Sequence, residues 1–169
     1  MRTTTLKHLF LICILYFLYG CEDEKDYLFL VVNDSGIDFS NDLNYTQELN
    51  PYTYRNYYNG AGIGVADFDN DGLEDIYFSG NQVDNALYRN LGNLKFEKVE
   101  SSPILNCTGS WSTGVSIVDI NQDGLKDIYV CKAGPPEGPR RYNELFINNG
   151  NFEFTESAEK YGLRIKGFS

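Results

Sequence analysis

Apolar and polar positions form short runs along most of the chain, separated by Asn, Asp and Gly. Runs rich in apolar, β-branched and aromatic residues between such turn residues predict strands, and no stretch after residue 20 has a helical period of useful length. The predicted strands are Gly62–Ala66, Ile76–Ser79, Ala86–Arg89, Lys95–Val99, Gly114–Val118, Ile128–Cys131, Glu144–Ile147 and Phe152–Glu156. We therefore expect an all-β fold.

The eight predicted strands form two copies of one unit. Gly62–Gly80 aligns without gaps to Gly114–Lys132 at an offset of 52 residues, and Asn85–Asn93 aligns to Asn143–Asn151 at an offset of 58. The six extra residues fall in the Gly/Pro-rich stretch Ala133–Arg141, which a surface loop can accommodate. Four strands in a unit of about fifty residues are typical of a β-propeller blade. We expect four-stranded antiparallel blades of a partial β-propeller.

A short acidic sequence, D-x-[DN]-x-D-G-x-x-D, lies between the first and second predicted strands of each unit. Calcium takes six to eight oxygen ligands, and side-chain oxygens at alternate positions of a tight loop can converge on one ion. The Gly permits the positive φ that turns the chain, and the residue after it offers a backbone carbonyl. The sequence therefore predicts two calcium sites. Their candidate ligands are Asp67, Asp69, Asp71, Leu73 and Asp75 in the first, and Asp119, Asn121, Asp123, Leu125 and Asp127 in the second.

Two other interpretations of these loops fit less well. An EF-hand requires an acidic ligand at its twelfth loop position and helices on both sides, but those positions are Phe78 and Val130, inside predicted strands. An ordinary Asp-Gly hairpin turn does not require four oxygen side chains at two-residue spacing. Affinity follows ligand charge, and the second loop has neutral Asn121 with Lys126 nearby. We therefore expect the first site to bind more tightly.

The segment from Ser40 to Ser169 resembles the FG-GAP/VCBS repeats of integrin-like propellers and of many bacterial surface proteins. The resemblance is specific in the two acidic loops and looser elsewhere, where Asn90–Phe96 and Asn148–Phe154 look like the family's N-x-G-x-x-x-F blade ending. It implies calcium sites that stabilise the blades, but a fold alone does not imply one function. The expected boundaries are 40–108 for the first blade, 109–165 for the second and 166–169 for the start of a third unit.

Two blades cannot close a ring, and they would leave unpaired strand edges. We therefore expect the chain to be the front part of a longer protein. Leu28–Phe39 resembles the closing part of a unit. This stretch, within a linker at 21–39, is a candidate for an outer strand donated to close a ring.

The first twenty residues are expected to be a signal peptide. Arg2 and Lys7 come before the apolar run Leu9–Tyr19, which is too short to span a bilayer core of about 30 Å. The sequence ending in Cys21 resembles the lipobox of bacterial lipoproteins, in which this Cys carries the lipids, and Glu22–Glu24 resembles the surface-export signal of some of them. We expect a lipid anchor on Cys21 at the bacterial outer membrane or cell surface; an ordinary secretory signal and a membrane anchor are the alternatives.

Charge and cysteine content limit the remaining possibilities. The formal net charge of −10 and the pI near 4.5 argue against nucleic acid as a partner, because phosphates require Lys and Arg. An acidic balance is consistent with a divalent-cation binder or with a soluble extracellular surface. In an oxidising compartment Cys107 and Cys131 either form a disulfide or are two small buried residues.

The leading functional hypothesis is a calcium-binding surface module that acts in binding or adhesion, with a glycan or a protein as ligand. The candidate contacts are loop Gly134–Arg141, Trp111, Tyr52, Tyr54 and Tyr57, although each aromatic side chain fits the core better. One alternative is the non-catalytic N-terminal part of a larger calcium-dependent polysaccharide-processing enzyme, and another is a purely structural array. The only histidine lies in the predicted signal peptide, and the clustered carboxylates are assigned to calcium. The chain is therefore not expected to be an enzyme by itself.

Overall fold

The computed structural model describes residues 28–100, 102, 104–105, 111–133 and 141–166. The chain divides into two units, residues 1–31 and residues 32–169; the described part of the first, 28–31, is exposed and lies outside any strand. The predicted signal peptide, Cys21 and Cys107 lie outside the described residues, so lipidation and a disulfide to Cys131 stay predictions. Within the described ranges, no helix is long and apolar enough to cross a membrane.

The second unit contains two four-stranded antiparallel sheets, in each of which strands that follow one another in sequence are neighbours. The strands are β1 (Ile63–Ala66), β2 (Asp75–Phe78), β3 (Ala86–Asn90), β4 (Phe96–Lys98), β5 (Trp111–Val118), β6 (Asp127–Ala133), β7 (Glu144–Asn148) and β8 (Phe154–Glu156). The all-β prediction and all eight predicted strands are confirmed. The largest difference is at β5, which begins at Trp111 rather than Gly114 and has a register irregularity between Ser112 and Val115.

The two sheets repeat the same strand register. The equivalent pairs are Val65–Ile76 and Ile117–Ile128 between the first two strands of each sheet, and Asn90–Phe96 and Asn148–Phe154 between the last two. These pairs follow the offsets of 52 and 58 residues that the sequence shows. The longer connection therefore lies between β6 and β7, where it was predicted, and residues 134–140 of it are outside the described ranges.

One hydrophobic core is shared by both sheets. Its buried members are Ala66, Phe68, Tyr77, Leu87, Ile104, Ile128, Val130, Phe146 and Phe154. Phe68, from the loop after β1, meets Phe154 of β8 edge to face, with ring centroids 6.0 Å apart. Burying each large apolar side chain contributes about 1.5–3 kcal/mol, so the contact between the sheets is a main source of stability.

Two glycines allow β1 to lie directly against β5. A Cβ atom at Gly62 would be 2.5 Å from the carbonyl oxygen of Thr113 and 2.7 Å from the backbone nitrogen of Val115. A Cβ atom at Gly64 would be 2.7 Å from Cδ1 of Ile117. Backbone and side-chain atoms of β5 therefore occupy the space that a side chain at Gly62 or Gly64 would need.

Residues 32–39 lie against the outer strands of the first sheet but form no strand of their own. The backbone N–H of Phe96 donates to the carbonyl of Ser35 at 2.7 Å, and the Tyr88 hydroxyl donates to the Asp38 carboxylate. This hydrogen bond lowers the pKa of Asp38. Burial, together with the same bond, raises the pKa of Tyr88 to about 12. The segment is thus attached to the sheet, while its ring-closing role stays a prediction.

The close approach of β1 and β5 gives a matched pair of substitutions. We expect Gly62→Ala to lower the free energy of unfolding by about 1–3 kcal/mol, because the new Cβ meets backbone atoms that cannot rotate away. Gly114 is the equivalent glycine of the second repeat, and its Cβ would meet only Cys131, at 3.7 Å. Gly114→Ala is therefore expected to be neutral or slightly stabilising. Urea unfolding followed by the fluorescence of the single tryptophan measures both, and equal losses would contradict the packing argument.

Candidate metal centre

The two acidic loops occupy the predicted place in each sheet. Residues 67–74 connect β1 to β2, and residues 119–126 connect β5 to β6. The last candidate ligand of each loop, Asp75 or Asp127, is the first residue of the strand that follows. Each loop therefore begins and ends on adjacent strands of its own sheet.

Each loop reverses direction through two residues with positive φ. Gly72 and Gly124 have φ of 88° and 90°, as predicted from the need to turn the chain back. Asn70 and Gln122, two positions earlier, also have positive φ, at 59° and 62°. Asn is among the side chains that tolerate this region best, whereas Gln is uncommon there. The paired reversals bring alternate side chains to the same side of the loop.

The first aspartate of each loop accepts hydrogen bonds from the loop backbone. Asp67 accepts the N–H groups of Asp71 and Gly72 at 3.1 and 2.8 Å. Asp119 accepts the equivalent pair in the second loop at 3.1 and 3.0 Å. The two loops thus have the same internal bonds, and their own carboxylates hold their shape.

Three carboxylates converge in the first loop. Asp67, Asp69 and Asp71 each offer an oxygen, and these oxygens lie within 4.8 Å of one another. Like charges at this spacing repel unless a cation lies among them, and hard oxygen ligands suit calcium. In the second loop the middle carboxylate is replaced by Asn121, whose side-chain N–H donates to Asp123 at 2.7 Å. The donor sets of both loops fit a divalent cation, and the second carries less charge.

An arginine from β3 contacts the first loop. The guanidinium of Arg89 lies 2.9 Å from the carboxylate of Asp69 and 3.1 Å from that of Asp71. The hydrogen bond to Asp71 is the main cause that raises the pKa of Arg89, and the negative charge of Asp69 adds to it. The sequence prediction missed this residue. The available signal was that Arg89 aligns with Ile147 in the second repeat, so the two units differ there in charge.

Asp75 and Asp127 are fully buried. The Asp75 carboxylate accepts the backbone N–H groups of Phe68 at 3.0 Å and Asn90 at 2.8 Å, and Asp127 makes the equivalent two bonds at 2.9 and 2.8 Å. Asp75 is not a member of the three-carboxylate cluster. Both residues therefore tie their loop to the end of the third strand, and their role as calcium ligands stays a prediction.

The asparagine that opens each predicted blade ending also holds its loop. The side-chain N–H of Asn90 donates to the carbonyl of Glu74 at 2.8 Å, and Asn148 donates to Lys126 at 3.2 Å. Asn148 also donates to the carbonyl of Phe68 at 2.9 Å, which links the second sheet to the first loop. The acidic loop and the N-x-G motif are thus parts of one local structure, a connection that the sequence prediction did not make.

The four aromatic residues that the sequence offers as ligand contacts differ in their exposure to solvent. Trp111, Tyr54 and Tyr57 are buried and pack together, the ring centroids of Tyr54 and Trp111 being 5.1 Å apart. Tyr52 is fully exposed. Of the predicted contact loop, residues 134–140 lie outside the described ranges. Among these four side chains, only that of Tyr52 is on the surface.

We expect the loop carboxylates to differ in what they do in metal-free protein. Asp75→Ala leaves two buried N–H groups without their acceptor and should lower the free energy of unfolding by about 2–4 kcal/mol in the presence of chelator. Asp71→Ala, at an exposed position, should cost much less. Urea unfolding in EDTA measures both variants, and an equal loss would show that Asp75 has no special structural role.

The pH dependence of the same variant provides a second readout. Burial raises the pKa of Asp75 from 3.8 to about 6, and the charges of Asp69 and Asp71 add to the rise. Since the folded pKa exceeds the unfolded value, the proton-linked part of the contribution of Asp75 to stability is complete below pH 3.8 and is lost as the pH rises through 6, while its two hydrogen bonds to backbone N–H groups remain. In EDTA, the stability difference between wild type and Asp75→Ala should therefore shrink from pH 4 to pH 7.

Comparison with known proteins agrees with the repeat seen in the loops and sheets. The model of the FG-GAP-like repeat matches residues 67–130, a range that begins at the first residue of the first acidic loop and ends in β6. No curated protein and no solved structure matches the chain significantly. Over residues 67–130, the chain is therefore similar to the FG-GAP-like repeat.

Proposed function

We propose that this chain is a calcium-binding module of β-propeller blades that acts in ligand binding or adhesion as part of a lipid-anchored protein of the bacterial cell surface. The observation that supports calcium most strongly is the convergence of Asp67, Asp69 and Asp71 within 4.8 Å. The repetition of the same loop bonds in the second sheet adds support. Exposed acidic groups that had no shared role would not need the same backbone bonds twice.

The ligand sets follow from the loops. In the first loop Asp67, Asp69 and Asp71 would hold the ion, and in the second loop Asp119, Asn121 and Asp123 would do so. The carbonyls of Leu73 and Leu125, with Asp75 and Asp127, remain candidate additional ligands. Calcium would supply the positive charge that lets the carboxylates lie close together.

Calcium binding would stabilise the sheets, because each loop is bonded to the end of the third strand. An ion that binds only the folded chain adds about 2.7 kcal/mol at a hundred times its dissociation constant. The contact of β1 with β5 brings the first strands of successive sheets together, which supports blades packed side by side around an axis. We propose a partial propeller on this basis.

The ligand we propose is a glycan. Tyr45, Tyr52 and Tyr58 are 60%, 100% and 64% exposed, and the rings of Tyr45 and Tyr58 lie edge to face at 6.3 Å. Exposed aromatic rings offer flat apolar faces with a polar end, which suits a sugar ring. Asn56 and Asn59, from the same segment, line a cleft of about 530 Å³ and would supply amide hydrogen bonds.

We propose no catalytic role for these residues. Among the described residues, the one cluster of three potential metal-binding carboxylates belongs to the first acidic loop, where it is assigned to calcium. The alternative, a non-catalytic part of a larger polysaccharide-processing enzyme, shares the glycan ligand proposed here. Nucleic acid is disfavoured by the net charge of −10.

Calcium titration tests the metal sites. Isothermal titration calorimetry of the full chain should give two sites, with dissociation constants on the order of 10⁻⁴–10⁻³ M. Asp71→Ala and Asp123→Ala should each abolish one site, and the melting temperature should rise with calcium and fall on chelation. A folded protein that shows no calcium-dependent heat and no shift in melting temperature would refute the proposal.

Polysaccharide pull-down tests the ligand. The wild-type chain should be retained by at least one member of a panel of insoluble polysaccharides, and Tyr52→Ala and Tyr58→Ala should reduce retention several-fold. Tyr142→Ala is the control, since Tyr142 is a partly exposed tyrosine just before β7 whose ring packs near Arg164. An effect of Tyr142→Ala equal to the other two, or no retention at all, would argue against a glycan at this surface.

A further inference from the structure

The guanidinium of Arg89 contacts the carboxylate oxygens of the first loop that would bind a metal ion. Oδ1 of Asp69 accepts the N–H of Asp71 at 3.3 Å, and Oδ1 of Asp71 accepts the N–H of Leu73 at 2.9 Å. The remaining Oδ2 atoms of both aspartates lie 2.9 and 3.1 Å from Nη2 of Arg89. The arginine therefore acts as a cation in place of a metal.

Arg89 is held in this position by both sheets. Its backbone belongs to β3, and its guanidinium carbon lies 5.9 Å from the ring centroid of Phe152, next to β8. Its Nε atom is buried, although 43% of the side chain is exposed. A side chain restrained at its base and packed against an aromatic ring loses little further entropy when it pairs with the carboxylates.

Among the residues that the structure describes, the second loop has no equivalent cation. Ile147 takes the place of Arg89, and the oxygen of Asp123 that corresponds to the arginine-bound one accepts a neutral amide N–H from Asn121. Lys126 is exposed and makes no ion pair with any residue that the structure describes. A calcium ion entering this loop therefore displaces one neutral donor.

We propose that Arg89 is a built-in counter-ion that calcium must displace from the first loop, so that the second loop is the tighter calcium site. This inference rests on the proposed calcium function. Counting only the candidate-ligand carboxylates, and leaving out Glu74 and Lys126, the four of the first loop together with Arg89 have a net charge of −3, equal to that of the three in the second. Arg89 thus offsets the charge advantage of the candidate ligands themselves, while the two charge-assisted bonds still have to be broken.

Arg89 has a second consequence for metal-free protein. By pairing with Asp69 and Asp71 it keeps the first loop assembled when calcium is scarce. Stability would then depend less on calcium at the first sheet than at the second. The arginine lowers the calcium affinity of the site and at the same time reduces the dependence of the loop on the ion.

The test compares substitutions at equivalent positions, each in a background that leaves one site. In full-length Asp123→Ala protein, which keeps the first site, we expect Arg89→Gln to tighten calcium binding about fivefold. In the Asp71→Ala background, which keeps the second site, Arg89→Gln should have no effect and Ile147→Arg should weaken binding by a similar factor. Calorimetric titration with calcium chloride measures all three double variants against their parent single variants.

A melt in EDTA separates competition from a purely structural role. Arg89→Gln should lower the melting temperature without calcium and enlarge the rise that saturating calcium produces, whereas Arg89→Lys, which keeps the charge, should lie between it and wild type. Unchanged or weaker calcium binding in folded Arg89→Gln protein would overturn the inference. If Arg89→Gln does not fold, Ile147→Arg decides, and unchanged affinity at the second site would overturn it. Wild-type protein that binds no calcium would refute the proposed function and this inference together.

Discussion

A buried carboxylate that accepts two backbone N–H groups organises each sheet. Asp75 and Asp127 each stand where the acidic loop ends and the second strand of their sheet begins. The side chain of each accepts one N–H group from the acidic loop and one from the end of the third strand. Leaving such N–H groups unpaired in the interior costs more than most single contacts contribute. The pairing of the first three strands and the shape of the loop therefore depend on the same residue.

The loops are joined to the contact between the sheets as well as to their own strands. Asn148 of the second sheet bonds to the carbonyl of Phe68 in the first loop, whose ring packs against Phe154. Arg89 lies between the first-loop carboxylates and the ring of Phe152. An ion that reorganised the first loop would therefore act directly on the packing of the two sheets.

The differences between the two repeats are as informative as their identities. Both loops bring side-chain oxygen atoms close together, and the repulsion between these oxygens is reduced differently in each loop. The first uses a full positive charge from Arg89, whereas the second replaces one carboxylate by Asn121 and pairs it with Asp123. A charge count limited to the loop residues does not include Arg89, a cation that is 18 residues away from its partner Asp71.

The sequence by itself determined the all-β class, the eight strands, the two loops and the place of the longer connection. These features depend on local preferences and on a repeat that aligns without gaps, so residues close in sequence carry the information. Tertiary structure decided what distant residues do: which carboxylates are buried, that Asn90 and Asn148 hold the loops, and that Arg89 pairs with Asp69 and Asp71. It also showed residues 32–39 bonded to the first sheet without forming a strand, and β5 starting at Trp111. The physical reason is that burial and ion pairing depend on which segments meet in space, and no local pattern of hydrophobic and polar residues specifies that.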